Sequence, residues 1–205
     1  MKKKFKLLCF GFGQVAKYFV NSLIKKKFNF ELITTNTSKS ELKIFNNIKH
    51  KSYYFSDEKF DEYLLSELKS TNKILISIPP INQEDLVLKM FKNHFKKNKL
   101  DWVTYLSATS VYGDKKGGWV DENTLPTPAL QRGINRLNAE NNWIKCYQDF
   151  KLPIQIFRLS GIYSNEKNII KRLQQGNIDI VQKKNHFFSR IHVEDIAEIL
   201  TISLT

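Results

Sequence analysis

Phe5-Lys6-Leu7-Leu8-Cys9-Phe10-Gly11-Phe12-Gly13-Gln14-Val15-Ala16 decides how the rest of this chain is read. Six mostly apolar residues run into Gly11-Phe12-Gly13, and a helical pattern follows through Ala16, Phe19, Val20, Leu23 and Ile24. Strand, tight glycine turn and helix in that order predict the first half of a dinucleotide-binding βαβ unit. Gly11 suits a turn conformation that a Cβ would obstruct, and Gly13 lets the backbone approach a pyrophosphate. Ala16 is small enough for close helix–strand packing. The helix start at Gln14 and Val15 offers unpaired N–H groups and a positive dipole end to phosphates. Two glycines before a helix also occur as a purely structural turn, so the motif's weight comes from its setting between a strand and a helix.

Outward from this unit the pattern repeats. Residues 30–34 read as a second strand ending in Thr35-Asn36-Thr37-Ser38-Lys39. An NAD-specific unit would carry an acidic residue near that strand end to hold the ribose 2′-OH. None is present, and a loop of hydroxyls and a lysine favours NADP over NAD, with Thr35 and Asn36 as cofactor contacts. A loop of ordinary polar turn residues is the competing reading. Residues 42–48 are expected as a short helix, 52–55 as a third strand and 58–69 as an amphipathic helix. The run 73–80 closes on Pro79-Pro80, which marks a buried parallel strand whose carboxyl end faces the cofactor crevice. Ser77, Ile78 and Pro79 are therefore candidate wall residues. A helix over 81–97, a fifth strand over 102–106 and a sixth over 152–159 complete a doubly wound parallel α/β sheet, a Rossmann fold.

Composition sets the bounds. A chain of 205 residues is one domain or slightly more, and 41% hydrophobic residues with 13% aromatics build a sizeable core. Cys9 and Cys146 form no disulfide framework and read as small buried hydrophobes in a reduced compartment. Lys2, Lys3 and Lys4 resemble the start of a signal peptide, but the apolar run that follows breaks at Gly11 and lacks a cleavage site. No stretch reaches bilayer-spanning length, so a cytoplasmic protein without membrane association is expected. The net charge of +13 comes mostly from lysines scattered over exposed helix positions such as Lys25–Lys27, Lys96, Lys97 and Lys99. No nucleic-acid motif accompanies it, so a nucleic-acid partner is not expected. No His, Cys or carboxylate set has metal-ligand spacing, and oligomeric state is not legible.

Arginine is more informative. Residues 1–131 hold 22 Lys and no Arg, whereas residues 132–205 hold six Lys and five Arg. Where lysine is the default cation, Arg132, Arg136, Arg158, Arg172 and Arg190 mark places that call for a planar, bidentate guanidinium. The second half is therefore expected to make the specific polar contacts.

That half also carries a recognisable pattern. Ser107-Ala108-Thr109-Ser110-Val111-Tyr112-Gly113-Asp114 leaves the fifth strand, and Arg132-Gly133-Ile134-Asn135-Arg136 with Glu140 lies on the next helix. Phe157-Arg158-Leu159-Ser160-Gly161-Ile162-Tyr163 and Arg190-Ile191-His192-Val193-Glu194-Asp195-Ile196-Ala197 follow. Together they resemble an extended short-chain dehydrogenase/reductase, the superfamily of NAD-dependent epimerases and dehydratases, over essentially the whole chain. The resemblance implies an NAD(P)-binding domain over residues 1–160 and the start of a substrate lobe over 161–205. Because the chain stops at Thr205, that C-terminal lobe is expected to be truncated. It further implies an oxidoreductase or epimerase acting on a small substrate, a nucleotide sugar among them.

The departures bear on catalysis. Active members place a Ser or Thr after the fifth strand and a Tyr-x-x-x-Lys on the next helix, the Tyr serving as acid/base and the Lys lowering its pKa. Here the three positions fall on Ala108, Arg132 and Arg136. Thr109 and Tyr112 are the nearest candidates for proton transfer, and Ser107 a candidate cofactor contact. Tyr112 and Asp114 also suit a simple strand-exit turn with Gly113. Arg158 is expected to point at the crevice or to pair in the interior with Glu140 or Asp195. Asp195 is a candidate helix cap, and His192 reads as a half-buried structural histidine. Two functions follow: an NAD(P)-dependent enzyme, or a non-catalytic dinucleotide-binding sensor or partner-binding protein. Either would take a small, anionic ligand, with Arg132 and Arg136 one helical turn apart as its anchors.

Overall fold

β1 (Phe5–Phe10) is the hub of the computed structural model, which describes residues 4–81, 83–96, 99–176 and 187–204. Of the residues read above, Lys2, Lys3, Lys97, Thr205 and part of the 81–97 helix lie outside these. β1 pairs in parallel with β2 (Phe30–Asn36) on one side and β5 (Lys73–Ile76) on the other. β4 (Ile48–Tyr54) flanks β2, while β6 (Trp102–Ala108) and β7 (Ile154–Leu159) extend the sheet beyond β5. β3 (Glu41–Phe45) closes the first edge antiparallel to β4, giving the order β3-β4-β2-β1-β5-β6-β7. The chain thus leaves β1 toward one edge and later resumes on its other side. That reversal opens a crevice at the carboxyl ends of the strands, where doubly wound folds bind ligands.

The pleat of β1 divides the core. Leu7 and Cys9 face α1 (Gln14–Lys25) and α6 (Val193–Ile202), whereas Leu8 and Phe10 face the opposite helix layer. That layer holds α2 (Tyr63–Ser70), α3 (Leu86–Phe95) and α4 (Gln131–Phe150). Ala16, Phe19, Val20 and Leu23 are fully buried, and Phe19 stacks on Trp102 with ring centroids 5.7 Å apart. Asp85 caps α3 at the Leu88 N–H (2.9 Å) and accepts from Trp143 Nε1 (2.9 Å), which ties α4 to α3. Cys9 and Cys146 are buried free thiols, and burial raises the pKa of both. Beyond β7, β8 (Gly161–Tyr163) and β9 (Arg190–His192) form a two-stranded parallel sheet, with α5 (Ile169–Gln174) between them. The chain then returns to the main body, because α6 packs Val193, Ile196, Ala197 and Leu200 against α1.

Several boundaries differ from the sequence reading. The helix expected over 42–48 is instead the β3–β4 hairpin. Asn46 and Asn47 both take positive φ (46° and 66°), the turn geometry that reverses a two-residue hairpin. Leu42 and Ile44 alternate outward along β3, a period of two rather than 3.6. The third strand therefore starts at Ile48 rather than at residue 52. α2 begins only at Tyr63, because the Ser56 hydroxyl accepts from the Glu58 and Lys59 N–H groups in a local turn. The later helix starts at Leu86, where Asp85 supplies the cap.

One carboxylate fastens α2 to the sheet. Glu67, buried, accepts from Lys6 Nζ (2.5 Å), Lys51 Nζ (3.0 Å) and Tyr53 OH (2.7 Å). Burial alone would raise its pKa, but the hydrogen bonds from Lys6, Tyr53 and Lys51 outweigh it and hold the carboxyl down at about 2. A depressed carboxylate stabilises the fold above its ordinary range near 4.5 and loses that contribution as pH falls toward 2. Glu67→Gln is expected to cost about 2–3 kcal/mol at neutral pH, with the gap to the parent closing below pH 4.5. Urea unfolding followed across that pH range reads the convergence; a pH-independent gap would mean that the lost contacts act by packing alone.

Candidate functional site

The glycine turn takes the shape its residue types call for. Gly11 has φ +81°, and a Cβ there would come within 2.7 Å of Ile78 Cγ2 and 2.9 Å of Ser77 Oγ. Its N–H donates to Thr35 Oγ1 (2.9 Å), and Ser77 Oγ lies 3.1 Å from the Phe10 carbonyl and 3.0 Å from that of Gly11. Gly13 differs. Its backbone is extended (φ −81°, ψ −164°), and a Cβ there would meet nothing within 4 Å. It caps α1 without a side chain, so the first-turn N–H groups are left for other acceptors.

Those groups open into a cleft of about 230 Å³ at the carboxyl ends of β1, β5, β6 and β7. Gly13, Gln14 and Val15 line one side, Ser77, Leu106, Ser107 and Ala108 the floor, and Arg136, Leu159, Ser160 and Ile162 the far wall. The sequence reading thus located Gly13, Gln14, Val15, Ser77, Ser107 and Arg136 in one place. Ser160, Leu106, Leu159 and Ile162 were not among its site candidates, although the strand-end rule that selected Ser77 applies equally to the ends of β6 and β7.

Other candidates have different roles. Gly11 and Ile78 form the turn and its support beneath the cleft, and Pro79 lies outside the lining. Thr35 is buried with its hydroxyl on Gly11. Asn36 folds the loop after β2: its Oδ1 accepts from the Ser38 and Lys39 N–H groups, and its Nδ2 donates to Lys39 O and Ser52. Arg136 donates to the Leu106 carbonyl (2.9 Å) and lines the cleft. Arg132, expected beside it, is exposed on the first turn of α4 and outside the lining; the buried Gly133 next to it seats that turn against Ser110 and Pro128 instead. Thr109 opens a 3₁₀ turn (Thr109–Tyr112) that carries it past the cleft.

Tyr112 is a second correction, since it belongs to a buried network rather than to the cleft. Arg158 donates through Nε and Nη2 to Glu140, which is 1% exposed, at 2.8–3.2 Å. Its Nη1 donates to Tyr112 OH (2.9 Å), which in turn donates to the Asp121 carbonyl (2.7 Å). The guanidinium also lies over the Tyr112 ring, 4.9 Å from its centroid. Ser107 Oγ donates to Glu140 from the cleft side. The interior pairing of Arg158 with Glu140 is therefore the outcome, and the Glu140 bond, with Tyr112 added, raises the arginine's pKa further. At the far end His192, not Asp195, caps α6 by accepting from the Glu194 N–H (3.4 Å).

A clamp unseen in the sequence joins α1 to the segment after β8. Gln14 Nε2 donates to Ser164 Oγ (2.7 Å), and Tyr18 OH donates to Glu166 (2.7 Å). The pairs are 150 and 148 residues apart in the chain, so no local pattern announces them. Among the described residues, no group of three or more His, Cys, Asp or Glu is placed to hold a metal ion. No described helix is long and apolar enough to cross a membrane.

Comparisons with known proteins agree on the architecture. No protein-family model matches the chain, and no curated protein does. Among solved structures, a functionally unknown conserved protein from Silicibacter pomeroyi shares 31% identity, with a TM-score of 0.79 over 98% of this chain and 68% of its own. The UDP-glucuronic acid 4-epimerase of Bacillus cereus, solved with UDP-4-deoxy-4-fluoro-glucuronic acid and NAD, gives 0.78 at 18% identity, covering 97% and 73%. The UDP-N-acetylglucosamine 4-epimerase of Methanobrevibacter ruminantium, in complex with UDP-N-acetylmuramic acid, gives 0.77 at 17%, covering 99% and 74%.

The two glycines should separate on mutation. Gly13→Val fits an extended backbone with open space and is expected to leave the melting temperature nearly unchanged. It should weaken dinucleotide binding tenfold or more, about 1.4 kcal/mol. Gly11→Ala forces a Cβ into a positive-φ position and is expected to destabilise the fold by about 1–3 kcal/mol. Calorimetric titration with thermal unfolding on both variants checks the pair; equal affinity for parent and Gly13→Val would reduce the loop to a turn.

Proposed function

The chain belongs to the extended short-chain dehydrogenase/reductase superfamily, in its epimerase/dehydratase-like group, and from that premise we propose that it binds a nicotinamide dinucleotide along the cleft. It holds a small anionic ligand there without the tyrosine-based turnover of active relatives. The observation that carries binding is Gly13, whose missing side chain leaves open space at the uncapped start of α1. The residues present fit a dinucleotide: N–H groups of Gly13, Gln14 and Val15 toward a pyrophosphate, and Ser77, Ser107 and Arg136 along its second half. Such a cofactor supplies hydride chemistry when bound.

The chain's own groups argue against proton transfer of the usual kind. Ala108 has no hydroxyl, and Arg132 and Arg136 carry guanidinium groups, which donate hydrogen bonds and accept none. Tyr112 is committed to Arg158 and the Asp121 carbonyl. A fixed cation at Arg136 suits an oxyanion instead, and its bond to the Leu106 carbonyl holds it in place. The neighbours that act on UDP-linked sugars suggest a nucleotide-linked ligand of similar size.

On cofactor choice, residues 35–40 carry no carboxylate, and Lys39 is exposed at the end of the loop that Asn36 folds. A single solvated lysine near a 2′-phosphate contributes about 1 kcal/mol or less, so NADP should be preferred over NAD by a few-fold only. Parallel titrations test this: tighter NAD binding would overturn the cofactor choice, and no binding of either would overturn the reading itself. Cofactor absorbance against a panel of nucleotide sugars is expected to stay flat, for the parent and for the Arg132→Tyr, Arg136→Lys double variant alike. Robust turnover by the parent would restore the enzyme reading and require a proton carrier other than those named.

A further inference from the structure

Both hydroxyls on the cleft floor, Ser77 and Ser107, have already spent their protons. Glu140 receives both Nε and Nη2 of Arg158, so it is the charged acceptor to which Ser107 Oγ must donate. Ser77 Oγ donates to the Phe10 and Gly11 carbonyls. Toward the cleft, then, Ser77 and Ser107 present lone pairs only. Arg136, in the same lining, is a donor only, and its bond to the Leu106 carbonyl leaves further N–H groups for a ligand. The wall therefore offers an acceptor from Ser107 beside a cationic donor from Arg136. Ala108, next in sequence, contributes no polar side chain between them.

We propose that this end of the cleft reads an oxyanion flanked by a hydroxyl, with Arg136 taking the oxyanion and Ser107 accepting from the hydroxyl. Glu140 and Arg158 are positioning residues: they fix which way the Ser107 proton points and thereby exclude a carbonyl or a second oxyanion from that spot. The inference rests on the cleft being a dinucleotide site, and it names what is recognised there. The same chemistry has two sources, the ribose-phosphate of the dinucleotide itself or a separate hydroxy acid.

The test uses the full chain with three probes that differ at one atom group: mandelate carries the hydroxyl, phenylacetate lacks it, and benzoylformate replaces it with a carbonyl. Each is titrated into the free protein and into protein saturated with ADP-ribose, and dinucleotide affinity is measured alongside. One hydrogen bond should give mandelate about a fivefold advantage over phenylacetate, with benzoylformate weakest. Ser107→Ala, a small change, should level the three probes if the source is a separate hydroxy acid, or weaken dinucleotide binding about fivefold if the source is the ribose-phosphate. Glu140→Gln can turn its amide N–H toward Ser107, freeing that proton to face the cleft. Benzoylformate should then overtake mandelate, a reversal that a merely structural role would not produce. If a variant fails to fold, the parent decides: a parent that prefers phenylacetate or benzoylformate to mandelate overturns the proposal. So does a Ser107→Ala protein that changes neither the probes nor the dinucleotide. Failure of the parent to bind ADP-ribose or dinucleotide would instead sink the dinucleotide reading, and the free-protein titrations would still judge this one.

Discussion

The hydrogen bond from the Gly11 N–H to Thr35 Oγ1 is the contact on which the site depends. It fastens the end of β1 to the end of β2, while Ser77 fastens the same turn to the end of β5. Three neighbouring strand ends thus converge on one residue that must take positive φ and must lack a Cβ, because Ile78 and Ser77 fill the space a side chain would need. The turn then delivers Gly13 to the start of α1 with nothing facing it. One glycine satisfies a packing constraint and the other leaves a vacancy, and only together do they yield a bound helix with an open N-terminus.

A second constraint shapes the opposite wall. A buried carboxylate is costly unless paired and fully hydrogen-bonded, and Glu140 meets that condition through the Arg158 fork and Ser107. The pair links α4, β6 and β7, and through Tyr112 it reaches the loop at Asp121. Such a pair contributes less to net stability than to geometry, since well-packed apolar residues would stabilise as much. Its effect is directional. It draws Tyr112 into the interior and orients the Ser107 hydroxyl, so that a strand exit resembling a catalytic loop becomes a fixed wall of the cleft.

The parts of the fold that proved legible are those in which local pattern and tertiary context agree. β1, the glycine turn and α1 are written in residue types that have one reading together, and the strand ended by Pro79-Pro80 is similarly marked. The β3–β4 hairpin also reads as a helix because Ile44 and Ile48 lie four residues apart, a helical spacing, although Asn46-Asn47 between them carries a turn signal. In the site, Gly13, Ser77, Ser107 and Arg136 were legible because strand ends and helix starts place them. Arg132 and Tyr112 were not. A spacing of four residues puts two side chains on one helix face, but it does not say how far along the helix that face meets the sheet. Whether a tyrosine turns inward depends on an arginine 46 residues away.

The central claim, that the cleft at the strand ends is a dinucleotide site, is tested most directly by mapping backbone amide chemical shifts during titration with NADP. The account expects the largest changes at Gly13, Gln14 and Val15, with smaller ones at Ser77, Ser107 and Arg136. Shifts centred elsewhere, on the 161–175 segment or the β3 edge, or none at saturating cofactor, would contradict it.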